Sequence, residues 1–241
     1  EGFIKEFLDE VRSVYGQDFY SVGEYWKDDL GVLKEYLDSL EYTTDLFDVG
    51  LHFNFHEASV RGKDFDLRTI FDNTILMSDS MQAVSFVDNH DSQKGSALES
   101  QIESWFKPHA YAIILLAERG YPCLFYGDYY GVGGQESEHR WIIDQLLHVR
   151  KHYAYGGEID YFDDPNLVGI YRTGRENELN TGCVAILSNN EDGEKLIEVG
   201  QNRTGQVWKE VTGSGFDNVV IDDSGFVAFK VKAGKISVWI P

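Results

Sequence analysis

A chain of 241 residues that is 42% hydrophobic, 26% charged and 14% aromatic has ample apolar material for a core and belongs with ordered globular proteins, which excludes disorder as a general description. Forty-one acidic against twenty-one basic residues leave a formal charge of −20, which repels phosphate backbones and anionic lipid surfaces. Nucleic acid and membranes are therefore excluded as expected partners, whereas a neutral sugar, a divalent cation or plain solubility all suit that charge.

The first segment, residues 1–8, already reads as amphipathic helix, and apolar positions recur at helical spacing through Phe3, Ile4, Phe7, Leu8, Val11 and Val14 up to a stop at Gly16. The chain is thus expected to begin inside a longer protein. Phe19 to Val22 reads as a strand that ends at Gly23-Glu24-Tyr25-Trp26, and Asp28 or Asp29 can cap a helix containing Leu33, Tyr36, Leu37 and Leu40. Leu46 to Leu51 is a second predicted strand, followed by helix-like residues from Phe55 to Val60 and by Leu67, Ile70 and Phe71. Ala83 to Val87 is a third, ending in Asp88-Asn89-His90-Asp91, and a helix is predicted from Trp105 to Glu118. Tyr121 to Tyr126 is a fourth strand ending at Gly127-Asp128, with a helix over Trp141 to Tyr153. Four strand–helix units in series imply a parallel sheet of the β/α-barrel type.

Beyond Gly156-Gly157 helical periodicity disappears. Short strands are predicted at Val168–Tyr171, Cys183–Leu187, Leu196–Val199, Gln206–Glu210, Val219–Ile221, Phe226–Val231 and Ile236–Ile240, separated by turns such as Glu191-Asp192-Gly193, the pattern of an antiparallel sandwich. Cys123 and Cys183 lie in separate apolar runs without metal-type spacing, so two buried thiols are expected and the compartment, secreted or cytoplasmic, stays unassigned. A barrel closes its edges only with about eight strands, so four units need strands from another polypeptide, from a second copy or from the rest of a longer chain.

Side chains at the carboxyl ends of barrel strands converge on one mouth, and three of the four predicted ends carry an acid: Glu24, Asp91 and Asp128. Any one of them alone can be a helix cap. Glu24 has Tyr25 and Trp26 beside it, apolar surface that raises a carboxyl pKa and aromatic planes on which sugars stack. The run Asp88-Asn89-His90-Asp91 breaks strand patterning with four polar residues, which packing does not require. His90 with Asp88 or Asp91 could ligate a metal, but no spacing supplies a third ligand.

Ser21-Val22-Gly23-Glu24-Tyr25-Trp26 and Phe86-Val87-Asp88-Asn89-His90-Asp91 resemble the strand-five and strand-seven motifs of the bacterial liquefying α-amylases of glycoside hydrolase family 13, and residues 105–112 and 120–128 are similar to helix seven and strand eight of that family. The resemblance covers nearly the whole chain. It implies the C-terminal half of a TIM (β/α)8 barrel over residues 1–156, followed by an antiparallel β-sandwich domain over residues 157–241. It carries the general acid/base role to Glu24, transition-state stabilisation to Asp91 and substrate contact to His90, with Trp26 as a candidate stacking surface. The implied activity is retaining endo-hydrolysis of α-1,4-glucosidic bonds in starch and related glucans, with an N-terminal barrel half as partner to supply the strand-four nucleophile. The chain by itself is expected to be inactive. A transglycosidase of the same family and a non-catalytic glucan-binding or scaffold fragment are the alternatives. Calcium is implied for the complete enzyme, with no ligand assigned here. Some relatives place a further calcium between barrel and sandwich through a histidine and an aspartate, where this sequence has Asp163-Asp164-Pro165-Asn166; proline offers no side-chain ligand and asparagine no charge.

Overall fold

A computed structural model describes residues 2–241; Glu1, part of the first predicted helix-like segment, lies outside the described residues. In chain order the elements are α1 (Gly2–Tyr15), β1 (Val22–Gly23), α2 (Leu30–Ser39), β2 (Asp45–Phe47), α3 (Val49–Arg61), α4 (Ile75–Ser78), β3 (Ala83–Phe86), α5 (Lys107–Leu116), β4 (Tyr121–Cys123), α6 (Tyr126–Tyr130) and α7 (Arg140–His152). There follow β5 (Glu158–Asp164), β6 (Leu167–Arg172), β7 (Cys183–Ser188), β8 (Gly193–Glu198), β9 (Val207–Glu210), β10 (Val219–Val220), β11 (Phe226–Val231) and β12 (Ile236–Ile240).

Strands β1 to β4 form a parallel sheet in sequence order, each joined to the next through a helical crossover. Parallel strands fed by helices bury both faces, which is why β3 is buried at every position. The second strand is shorter than its apolar run suggests. Asp48 accepts a hydrogen bond from the Leu51 amide and caps α3, so Val49 and Leu51 are helical rather than extended. The fourth strand likewise ends at Cys123, and Tyr126 opens a short helix.

The C-terminal strands build a six-stranded antiparallel sheet in the order β10-β9-β12-β7-β6-β5, with β8 and β11 paired as a separate two-stranded layer. Strand β5 escapes the sequence reading because Glu158–Asp164 is mostly acidic and only partly covered at the edge of the sheet. The two central strands, β7 and β12, are buried along their whole lengths because the sheet is covered twice. On one face Val184, Ile186 and Trp239 pack with Ile197, Phe229 and Trp208. On the other, Ala185, Leu187 and Val238 join the core that contains α5 and α7.

Helix α5 is the hinge of this arrangement, with nine of its ten residues buried. Its final carbonyls are capped by guanidinium groups from both sides: Arg150 of α7 donates to Leu115 O at 2.6 Å and Arg172 of β6 to Leu116 O at 2.9 Å. His109 reaches the sheet, its Nε2 donating to Ser188 O at 2.9 Å. Helix α1 differs, since only Leu8 is buried and Phe3, Phe7, Val14 and Tyr15 are exposed. It is tied down by Arg12, whose Nη2 donates to Thr43 O at 2.6 Å and to Ser21 Oγ at 3.1 Å. Both cysteines are free thiols, Cys183 buried and Cys123 half-buried.

Three buried titratable groups couple this packing to pH. Burial lowers the pKa of His109 to about 4, and that of His52 to about 4 as well. Below their ordinary value of 6.5 the unfolded chain takes up protons at these imidazoles that the folded chain refuses, so their contribution to stability is lost as pH falls from 6.5 towards 4. Asp48 acts in the opposite sense, because burial raises its pKa from 3.8 to about 6 and favours the folded state as pH falls through that range. At these three sites taken together, the two imidazoles outweigh Asp48 and acidification is unfavourable to the folded state. Replacing His109 with Gln, which keeps a donor for Ser188 O, should reduce the slope of unfolding free energy against pH in this window by about one proton, ~1.4 kcal/mol per pH unit. Urea titrations at several pH values measure that slope, and an unchanged slope would contradict the buried neutral state of His109.

Candidate active site

The ends of β1 and β3 meet through one side chain. Asn89, in the turn after β3, donates from Nδ2 to Glu24 Oε1 at 3.1 Å, while its Oδ1 accepts from the backbone amides of Asp91 at 2.9 Å and Ser92 at 2.8 Å. The Glu24 carboxylate and the Asp91 backbone are therefore held by opposite ends of the same amide, although 67 positions separate them in sequence. His90 lies between them in sequence, exposed, with Nε2 3.5 Å from Asp91 Oδ2. The turn is pinned from below: His90 O accepts from Gln93 Nε2 at 3.0 Å and Ser96 Oγ at 2.9 Å, and Ser92 Oγ donates to Asp88 Oδ1 at 2.9 Å.

The polar run after β3 thus divides by direction. Asn89, His90 and Asp91 lie at the mouth, and Asp88 is buried beneath it, 2.9 Å from Lys107 Nζ. Lys107 also pairs with Asp128, whose second oxygen accepts from Tyr111 Oη at 2.7 Å. Burial pushes the Lys107 ammonium down, but the carboxylates of Asp128 and Asp88 outweigh it and hold its pKa above the ordinary lysine value. Burial and the neighbouring Asp128 carboxylate raise the Tyr111 hydroxyl well above its usual range. Asp128, one of the three acids at predicted strand ends, therefore belongs to a buried ionic cluster beneath the mouth.

The aromatic neighbours of Glu24 pack on other rings. Tyr25 packs on Tyr36 with ring centres 5.0 Å apart, and Trp26 sits 5.4 Å from His52, 6.0 Å from Phe86 and 6.1 Å from Phe53. Trp26 is half-buried in a cluster of aromatic rings. His52 completes that cluster, stacked on Phe86 and held at both nitrogens, Nδ1 by Val87 O at 2.7 Å and Nε2 by Ser100 Oγ at 2.8 Å. A cleft of 780 Å³ opens nearby between the loops after β3 and α6, lined by Glu99, Glu103, Lys107, Asp128, Glu138 and His139 among others; Glu24, His90 and Asp91 lie outside it.

No group of three or more His, Cys, Asp or Glu side chains among the described residues is arranged to hold a metal ion. At the mouth the reason is visible: Asp88, which sequence alone allows as a partner of His90, is committed to Lys107.

Sequence reasoning names Glu24, His90 and Asp91 but misses Asn89, Lys107 and Tyr111. A signal for the last two exists, since a lysine and a tyrosine four residues apart on one face of an otherwise apolar helix call for buried partners.

Four parallel strands joined by helices, leading into an antiparallel sheet domain, define the class of partial β/α barrels with an appended β-domain. Residues 1–228 match the model of the alpha-amylase catalytic domain, and the chain belongs to that family. It is 42% identical over 239 residues to glucan 1,4-alpha-maltohexaosidase of Bacillus sp. (strain 707), covering 99% of this chain and 46% of that protein. It is 39% identical over 242 residues to the alpha-amylase of Bacillus licheniformis, covering 99% of this chain and 47% of that enzyme. The chain thus spans about half the length of the curated relatives it matches. Among solved structures, an Anoxybacillus alpha-amylase superposes with a TM-score of 0.68 at 19% identity, covering 98% of this chain and 55% of that one, a likeness of fold.

Replacing Lys107 with Met leaves Asp88 and Asp128 buried without their counter-charge, and a loss of about 3–5 kcal/mol in unfolding free energy is expected. Adding Asp88→Asn and Asp128→Asn should recover much of it. Chemical denaturation of the single and triple variants reads both effects, and a Lys107→Met protein as stable as wild type would show that the cluster contributes nothing.

Proposed function

We propose that this chain contributes residues 1–156 as the C-terminal half of a catalytic barrel and residues 157–241 as a β-sandwich domain to an enzyme that hydrolyses internal α-1,4-glucosidic bonds of starch-type glucans with retention. The observation that carries the reading is the Asn89 amide, which grips the Glu24 carboxylate with one end and the Asp91 backbone with the other. Two acids on separate strands of a family barrel, fixed to one group at the mouth, suit a sugar ring held at its reacting centre. The names of the relatives, a maltohexaosidase and an alpha-amylase, support glucan as the substrate class.

In this reading Glu24 protonates the departing glycosidic oxygen and, after the sugar is transferred to a carboxylate nucleophile, removes a proton from the water that releases it. The nucleophile comes from the preceding barrel strands, outside this chain. Asp91 accepts hydrogen bonds from ring hydroxyls that strengthen as the ring distorts, and His90 is placed beside it to contact the same sugar. Trp26, half-buried and braced by His52 and Phe86, is the candidate surface on which a sugar ring stacks. The partner that brings the nucleophile also answers two physical needs: β1 and β4 each pair on one side only, and α1 leaves an aromatic face uncovered. Calcium is implied by the family for the complete enzyme, and no side chain of this chain is assigned to hold it.

The test is starch hydrolysis by this chain co-produced with an N-terminal barrel half, compared with the chain alone. Activity is expected only in the complex, and Glu24→Gln in the complex should lower kcat by about 10²–10⁴-fold. Turnover by the chain alone, or a Glu24→Gln complex that retains wild-type kcat, would refute the proposal.

A further inference from the structure

Where the β5–β6 turn meets the barrel half, three backbone carbonyls point into one small cradle. Gly62, Lys63 and Phe65 supply them, from the short 3-10 turn that follows α3 and the residue after it. Gly62 adopts φ 55° and ψ −127°, a conformation open to glycine, at the point where the chain turns to present these oxygens. Convergent carbonyls with side-chain oxygens around them are the ordinary composition of a hard-cation site, and the family resemblance implies a calcium at this joint in some relatives.

The donors present do not fit a cation. Asn189, just after β7 and 5% exposed, donates from Nδ2 to Gly62 O at 2.9 Å and to Phe65 O at 2.9 Å. Asn166 donates from Nδ2 to Lys63 O at 2.8 Å and to Asn189 Oδ1 at 2.8 Å. The orientation of both amides is forced, because carbonyl oxygens can only accept: Asn189 must turn its NH2 to Gly62 and Phe65, which leaves its oxygen for Asn166. All four amide hydrogens are used, and each points at an oxygen that a cation would need. Nearby carboxylates are engaged otherwise: Asp164 accepts from the backbone N–H of Asn166, and Asp163 pairs with Lys195.

We infer that the joint between barrel half and sandwich is closed by an Asn166–Asn189 amide clasp in place of a divalent cation, and that the same cradle becomes a cation site when the two amides become carboxylates. The chemistry is one of substitution. Two NH2 groups hold the three carbonyls without metal, whereas two carboxylates would repel them until a cation entered.

Thermal unfolding of the protein in chelator and in excess calcium tests the inference, with stability as the readout independent of any catalytic role. Wild type and Asn189→Ala are expected to show the same calcium-induced rise in Tm, whatever other sites contribute, with Asn189→Ala melting several degrees lower in both media. The N166D/N189D double variant should melt below wild type in chelator and gain more from calcium than wild type does. A calcium-induced rise in wild type that Asn189→Ala abolishes would overturn the inference. So would a double variant that matches wild type in chelator or gains nothing extra from calcium. If the double variant does not fold, the comparison of wild type with Asn189→Ala decides alone.

Discussion

Helix α5 has almost no solvent face, and much of the molecule is organised by that constraint. A helix enclosed on nearly all sides can carry polar side chains only if each finds a partner, because an unsatisfied group in that setting costs more than a single contact returns. Lys107, His109 and Tyr111 each find a partner in a different direction, Lys107 towards the loop after β3, Tyr111 towards α6, and His109 through Nε2 towards β7, while His109 Nδ1 alone of these three side chains' polar atoms makes no hydrogen bond. The helix therefore fixes the base of the candidate mouth and the seat of the C-terminal sheet with side chains from a single turn. Arg150 and Arg172 complete the arrangement by occupying carbonyls that would otherwise be orphaned at its end.

Above that base, the mouth is built from short turns whose geometry is set by amides and hydroxyls. Asn89 gathers the backbone of its own turn and a carboxylate from another strand, and Ser92 ties the same turn to Asp88 below. Such turns hold a side chain in place without burying it, which suits groups that must reach an incoming ligand. The division of Asp88 from Asp91, three positions apart, shows how one polar run can serve both stability and chemistry.

Much of this was legible from the residues. Continuous apolar runs locate β3, β7 and β12, which are buried on both sides, and apolar–polar alternation locates β11, which is buried on one. His90 and Asp91 stand out because four polar residues interrupt a strand without a packing reason, and Glu24 because it is an acid at a predicted strand end with Tyr25 and Trp26 beside it. What escaped depends on distance in space. The end of β2 is decided by Asp48 capping a helix and also accepting from the Leu76 amide at 2.7 Å, a contact 28 positions away. Strand β5 is recruited by its neighbour more than by its own composition. Asn89, Asn166 and Asn189 look like ordinary turn residues in one dimension, and their roles lie in carbonyls and carboxylates supplied by other segments. The rings that brace Trp26, His52 and Phe86, likewise come from other segments.

The sheet that α5 supports has a thermodynamic corollary. Strands β7 and β12 are neighbours, each buried at every position, with one core on either side of them. To expose their amides to water, the two-stranded cover and the helical layer must both be peeled away, and partial fluctuations of surface turns achieve neither. These strands belong to a different sheet from β1 and β3 and meet the mouth through α5, so the exposed turns that carry Glu24 and Asp91 can rearrange around a ligand without unpairing β7 from β12.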